Sequence, residues 1–326
     1  MADLKVKFAG LELKSPVIAG SCGLTSDISK LQEMEKYGVG AVVLKSIFEE
    51  QILLETNRAI GDNNYPEEED YIRNYIRAHT LEQYLDLIKA AKERLRIPVI
   101  ASINCVKDGE WVDFARQIEK AGADAIELNA FVLPLDEFSE SADIEAIYFD
   151  IIRHLKAEVN IPLVMKLSHY FTNLPGFISK LKAYGVDAVT LFNRFYEPDI
   201  DIERMTVGSA SVFSLPTDLR TTLRWTGILA GKDPRLVISA STGVHSGEAV
   251  VKMLLAGATT VQVCSEIYEG GLNVLATMNR FLTSWMDSKG YKTVEDFRGK
   301  LSYANLGNAS RYERAQFMKY FSDRKI

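Results

Sequence analysis

One phrase recurs four times along the chain. YGVGAVVLK (37–45), AGADAIELN (121–129), YGVDAVTLFN (184–193) and AGATTVQVC (256–264) each place a glycine at the end of a helical stretch, then a short turn, then an apolar run. The glycine suits a left-handed helix C-cap, because a residue without a Cβ takes positive φ at no steric cost. The continuous apolar run suits a parallel strand buried on both faces. Four more such runs lie between these units: SPVIAGS (15–21), IPVIASIN (97–104), IPLVMKLS (161–168) and RLVISAST (235–242). Amphipathic helical patterns separate the runs, as at 31–38, 111–122, 144–158 and 249–257. Eight strand–helix units predict an α/β fold, a single (β/α)8 TIM barrel spanning 1–326. An open doubly wound sheet is the competitor, and two similar halves of four strands favour closure. A polar and aromatic tail over about 301–326 is expected to pack on the barrel or on a neighbour.

In such a barrel the chemistry gathers where the strands end. The eight ends carry Gly20, Ser21 and Cys22; Lys45 and Ser46; Asn104 and Cys105; Glu127 and Asn129; Lys166 and Ser168; Asn193 and Arg194; Ser241, Thr242 and Gly243; and Cys264, Ser265 and Glu266. Strand ends turn polar anyway as they approach water, which accounts for Ser and Asn. Two lysines straight after apolar strands are a different matter, since a buried cation must be paired or ligand-bound. Thr242-Gly243 and Ser265 close the seventh and eighth units, where barrels often bind phosphate through backbone N–H groups. Residues 46–80 and 194–220 are too long for bare connections, and long loops at this end are usually functional.

Composition removes other classes. The chain has 326 residues, 47% hydrophobic and 25% charged, ample for a core and incompatible with disorder. Its 38 basic and 44 acidic residues give a net charge of −6, which argues against nucleic acid as a partner. No apolar run reaches the roughly 18 residues of a membrane span, and MADLKVKFAGLELKSP lacks the pattern of a signal peptide. The three cysteines, Cys22, Cys105 and Cys264, are widely spaced, giving neither a disulfide framework nor zinc spacing. A reducing, cytoplasmic setting and no metal are expected.

These residues resemble the dihydroorotate dehydrogenase family, in particular its soluble, fumarate-using class. The likeness covers nearly the whole chain. It is strongest in VHSGEAVVKMLLAGATTVQVCSEIYEGG and GYKTVEDFRGKL, and SPVIAGSCG, AVVLKS, IPVIASIN, GADAIELN, IPLVMKLS and the Asn of LFNRF follow in order. The resemblance implies an FMN-binding barrel that oxidises dihydroorotate to orotate in pyrimidine biosynthesis, working as a cytoplasmic homodimer on a small-molecule substrate. It implies cofactor contacts at Gly20, Ser21, Lys45, Ser46, Asn104, Asn129 and Lys166. Phosphate contacts fall at Thr242, Gly243, Cys264 and Ser265, with Thr and Cys each standing where the family has Gly. Substrate contacts fall at Asn129 and Asn193, and Lys45 touches both flavin and substrate.

The departures lie on the substrate side. The family carries its general base in an Asn-x-Ser-Cys-Pro-Asn motif after strand four. Here the stretch reads Asn129-Ala130-Phe131-Val132-Leu133-Pro134, so Val132 replaces the catalytic cysteine. The Asn-x-Met-Gly-Leu motif after strand two is absent, and residues 57–69 read NRAIGDNNYPEEE. Arg194 stands where a serine follows the strand-six asparagine; it either clamps a substrate carboxylate or pairs with Glu197 or Asp199. Replacement acid–base groups are Cys105, otherwise a small buried filler, and Tyr170 or His169 after Lys166. His79, His154 and His245 read as structural. The expected function is an FMN-dependent oxidoreductase acting on CH–CH bonds with an altered substrate half. The alternatives are a reductase of a different enoate or pyrimidine, a non-catalytic flavin- or phosphate-binding barrel, and a flavin-free phosphate-ester enzyme.

Overall fold

The computed structural model describes residues 2–48, 66–104, 110–195, 197–307 and 309–313. Eight parallel strands close on themselves: β1 (Val17–Ala19), β2 (Ala41–Val43), β3 (Val99–Asn104), β4 (Ala125–Asn129), β5 (Leu163–Leu167), β6 (Ala188–Leu191), β7 (Ile238–Ala240) and β8 (Thr260–Val263). Each pairs with the next, and Val261↔Val17 joins β8 back to β1. Every apolar run of the sequence holds its strand, and the barrel is closed rather than doubly wound. The four glycines of the recurring phrase, Gly38, Gly122, Gly185 and Gly257, all have positive φ, between 86° and 118°. They end helices and turn the chain into β2, β4, β6 and β8, as the left-handed cap requires.

An outer layer of helices follows the strands: α1 (Ile28–Lys36), α2 (Pro66–Arg94), α3 (Glu110–Lys120), α4 (Ser141–Glu158), α5 (Leu174–Ala183), α6 (Leu219–Lys232), α7 (Gly247–Ala256) and α8 (Val274–Lys289). Each packs its apolar face on the barrel; Leu31 and Met34 of α1 and Leu275, Met278 and Leu282 of α8 are buried. None of the described helices is long and apolar enough to cross a membrane. An N-terminal hairpin, Val6–Phe8 against Leu11–Leu13, precedes β1 and buries Val6, Phe8 and Leu13 at the barrel's base. The opposite end, where the strands finish, is left open.

Two connections differ from their reading as loops. Of residues 46–80, the last fifteen are helical, because α2 begins at Pro66, a residue whose fixed φ suits the first helical position. The connection after β6 contains an exposed hairpin, Pro198–Asp201 against Thr206–Ser209. The tail, as far as it is described, packs on the barrel. Tyr312 donates to Leu301 O at 2.6 Å, and its ring lies so close over α6 that a Cβ on Gly227 would stand 2.3 Å from it.

Candidate active site

Polar residues alternate along the inner face of the strands: Ser102 and Asn104, Glu127 and Asn129, Lys166 and Ser168, Thr260 and Gln262. A period of two sends all of them to one face. Their centre is Glu127, which is 1% exposed. Lys166 Nζ lies 3.3 Å from Glu127 Oε1, while Thr190 Oγ1 (2.9 Å) and Gln262 Nε2 (2.5 Å) donate to Oε2. Burial would draw the Lys166 pKa down. The carboxylate of Glu127, reinforced by the nearby sulfurs of Cys264 and Cys22, outweighs that and holds the ammonium above the ordinary lysine value. A permanent cation therefore stands at the floor of the mouth. Beside it Ser46 Oγ links Ser21 Oγ (3.0 Å) and Ser102 Oγ (2.7 Å), and Tyr84 clamps the Ser102 backbone from behind.

Above this floor the mouth opens into two lobes of about 480 and 410 Å³. Ser21, Cys22, Lys166, Asn193 and Arg194 line both, so the lobes are continuous. The larger holds the residues expected at a phosphate, Thr242, Gly243, Cys264 and Ser265. Thr242 and Gly243 both have positive φ, 75° and 78°, and the chain approaches α6 so closely that a Cβ on Gly243 would stand 2.2 Å from Leu219 N. Ser214 and Ser265 join them: Ser265 Oγ accepts from Ser214 N at 2.9 Å, and Gly243 N donates to Ser214 Oγ at 3.3 Å. Ser214 Oγ also lies 3.1 Å from His245 Nε2, whose Nδ1 is 3.0 Å from Glu266 Oε2. Sequence reasoning took His245 as structural and did not single out Ser214. A hydroxyl in a polar loop carries no distinguishing signal until the loop's return to the seventh and eighth units is known.

The smaller lobe is ringed by Lys45, Ser46, Asn104, Asn129, Phe131 and Phe195 among others. Among the described residues no side chain pairs with Lys45. Asn129 is 5% exposed, and its Oδ1 has no hydrogen-bond partner among the described residues. Phe131 and Phe195, from the connections after β4 and β6, meet with ring centroids 4.1 Å apart. They give the lobe an aromatic wall that the sequence did not announce.

The remaining predicted residues fall as follows. Ser21, Ser46, Asn104, Lys166, Thr242, Gly243, Cys264 and Ser265 line the mouth, and Gly20 lies beneath them against Cys264. Arg194 lines both lobes, yet its donors are engaged in its own connection, to Asp218 (3.0 Å), Glu197 (3.2 Å), Ser211 O (2.8 Å) and Val212 O (3.2 Å). Tyr170 is 66% exposed and stacks near His169 and Phe195 in a shallow outer cleft. Burial lowers the His169 pKa. Val132 packs against the core, and its N–H donates to Tyr148 OH at 3.1 Å. Cys105 and residues 57–65 of the strand-two connection lie outside the described residues.

Comparison with known proteins adds an independent finding. The family model described as Dihydroorotate dehydrogenase matches residues 3–286. The chain is 27% identical over 306 residues to the dihydroorotate dehydrogenase B (NAD(+)) catalytic subunit of Thermoplasma acidophilum, covering 92% of this chain and 99% of that one. It is 26% identical over 312 residues to the like-named subunit of Endomicrobium trichonymphae, at 92% and 97% coverage. A dihydroorotate dehydrogenase (fumarate) of Lachancea kluyveri matches at 28% over 153 residues, 43% of this chain and 48% of that one.

Proposed function

The chain belongs to the dihydroorotate dehydrogenase family of oxidoreductases, and from that premise we propose that it is an FMN-dependent enzyme acting on a CH–CH bond, with the cofactor half of the family site kept and the substrate half changed. The observation that supports the reading best is the buried acceptor Asn129 Oδ1, unsatisfied in a lobe that also presents two lysines. These residues fit a flavin: its ring offers an N–H to such an acceptor, and Lys45, Asn104 and Lys166 suit its polar edge. Gly243 N–H, Ser214 and Ser265 suit its phosphate. When bound, the group supplies a two-electron acceptor, and the rest of the chemistry is the chain's own.

Lys166, kept charged by Glu127, stabilises negative charge developing at the floor of the pocket. Phe131 and Phe195 exclude water from the smaller lobe. Lys45 and Asn193 orient the substrate; Arg194 holds the loop that carries Glu197 to Asp218 over it. Val132 cannot accept a proton, and a positioned general base typically contributes about 10²–10⁴ in rate. The titratable groups described in this lobe are Cys22, Lys45, Lys166 and Arg194, none of them in the place of the family's base. Dihydroorotate is then a poor substrate, and a different enoate or pyrimidine, bound flat against the aromatic wall, is the preferred one. The same reading makes the protein a single-domain cytoplasmic homodimer, as the family resemblance implies.

Titration of FMN into the purified protein tests the cofactor half. Quenching of flavin fluorescence with one-to-one stoichiometry is expected. Absence of any flavin binding would instead favour a phosphate-ester barrel.

A further inference from the structure

Two sulfurs meet where β1 and β8 end. The register Ala19↔Val263 sets Gly20 beside Cys264, and the missing side chain at Gly20 makes room for the thiol, since a Cβ there would stand 2.5 Å from Cys264 Sγ. The Cys264 thiol turns toward the first loop and donates to Ser21 O at 3.7 Å, which brings its sulfur alongside that of Cys22. Around Cys22 stand the backbone N–H groups of Leu24 and Thr25 and the Tyr268 hydroxyl. The Cys264 thiol, with these polar groups after it, favours the thiolate of Cys22, and burial opposes them only in part. The Cys22 pKa falls to about 6. The interaction with Cys22, and desolvation after it, push the Cys264 thiol well up. The charged and titratable groups facing the pair are Lys166, Glu127 and Tyr268. Cys22 is half-buried and lines both lobes, so small molecules that enter the mouth reach it.

We propose that Cys22 and Cys264 form a thiol–disulfide redox centre in this pocket, with Cys22 the attacking thiolate, Cys264 the resolving thiol and a low-molecular-weight disulfide as oxidant. The Cys22 thiolate attacks one sulfur of R–S–S–R. That bond breaks, one thiolate RS⁻ leaves, and Cys22 carries –S–SR. Cys264 then gives up its proton, its sulfur attacks the Cys22 sulfur, and the second RS⁻ leaves. One released thiolate takes the Cys264 proton and the other takes one from water, replacing the proton Cys22 had already lost to solvent. Two protein thiols are oxidised by two electrons and one small disulfide is reduced to two thiols. The asymmetry between an ionised thiol and a protonated neighbour is the pattern such exchange uses. The new bond ties the end of β1 to the end of β8 and removes a negative sulfur from beside Lys166, so ligand binding in the pocket follows the redox state. The proposal stands whichever group occupies the mouth.

The full chain treated with oxidised glutathione, followed by intact mass and peptide mapping, tests it. The wild type is expected to lose two hydrogens and yield a Cys22–Cys264 linked peptide. Cys264→Ser is expected to stop with one glutathione on Cys22, and Cys22→Ser to leave Cys264 unmodified. Glutathione retained on wild-type Cys22 without the link, or no modification of either cysteine, would overturn the proposal. A second measurement needs no variant: alkylation of wild-type Cys22 by iodoacetamide is expected to reach half its maximal rate near pH 6. A midpoint at the ordinary thiol value would overturn it equally.

Discussion

At Lys166 the chain holds a full positive charge at the base of its mouth, 7% exposed, and Glu127 at 1% is the partner that makes this tolerable. Removing one member of a buried ion pair typically costs about 3–5 kcal/mol, because the survivor is left buried and unpaired. Glu127→Leu is therefore expected to lower stability by about that much in urea unfolding. A change below about 1 kcal/mol would mean that water reaches Lys166 freely and that the floor is not the dry site described. Asn129 lies two residues further along the same strand and on the same inner face, with its acceptor unfilled. Asn129→Leu is expected to leave unfolding nearly unchanged while weakening FMN binding about fivefold, the equivalent of one hydrogen bond of about 1 kcal/mol. Equal FMN affinity in a fluorescence titration would remove Asn129 from the cofactor contacts.

At the scale of elements, the connection from β6 to α6 is the part of the mouth most specific to this chain. Arg194 fastens it through Asp218, Glu197 and two backbone carbonyls. Arg194→Met is expected to raise hydrogen exchange across 197–212, including the exposed hairpin; unchanged exchange would leave substrate binding as the role of Arg194. Gly243 supports the same connection from below, so Gly243→Ala is expected to cost at least about 1–2 kcal/mol from its positive φ alone, with further loss as the start of α6 is displaced. Thermal unfolding measures it. The eight strands were legible because each pairs a glycine cap with an apolar run, two signals that agree. The hairpin at 198–209 was not, since both its faces are exposed and alternation there reports no burial. The start of α2 was hidden because YPEEEDYIRNYIRAHT opens on a run of acidic residues before its apolar positions recur. Glu127 was visible at a strand end, but its role as the acceptor for Lys166, Thr190 and Gln262 depends on which strands become neighbours. The meeting of Cys22 with Cys264 likewise exists only once β8 closes on β1.

For the whole molecule, the two thiols give folding a pH dependence. Cys22 ionises at about 6 in the folded chain and near the ordinary thiol value of 9.0 when unfolded. Between these values the unfolded state binds more protons, so stability rises with pH, is fully developed above about 9 and is lost as pH falls through about 6. Cys264 works the other way: held protonated when folded, it lowers stability above the ordinary thiol value, where the unfolded chain ionises first. Under reducing conditions the urea midpoint of the wild type, relative to Cys22→Ser, is expected to climb between about pH 6 and about pH 9. A flat difference would mean that Cys22 is an ordinary thiol. The central claim, a barrel that keeps a flavin site and has lost the base for dihydroorotate, is tested most directly in one anaerobic cuvette. The purified protein is loaded with FMN, its spectrum is recorded, and dihydroorotate is added. A yellow band that persists, with Val132 in the place of a base, is the predicted result; rapid bleaching of that band would contradict it.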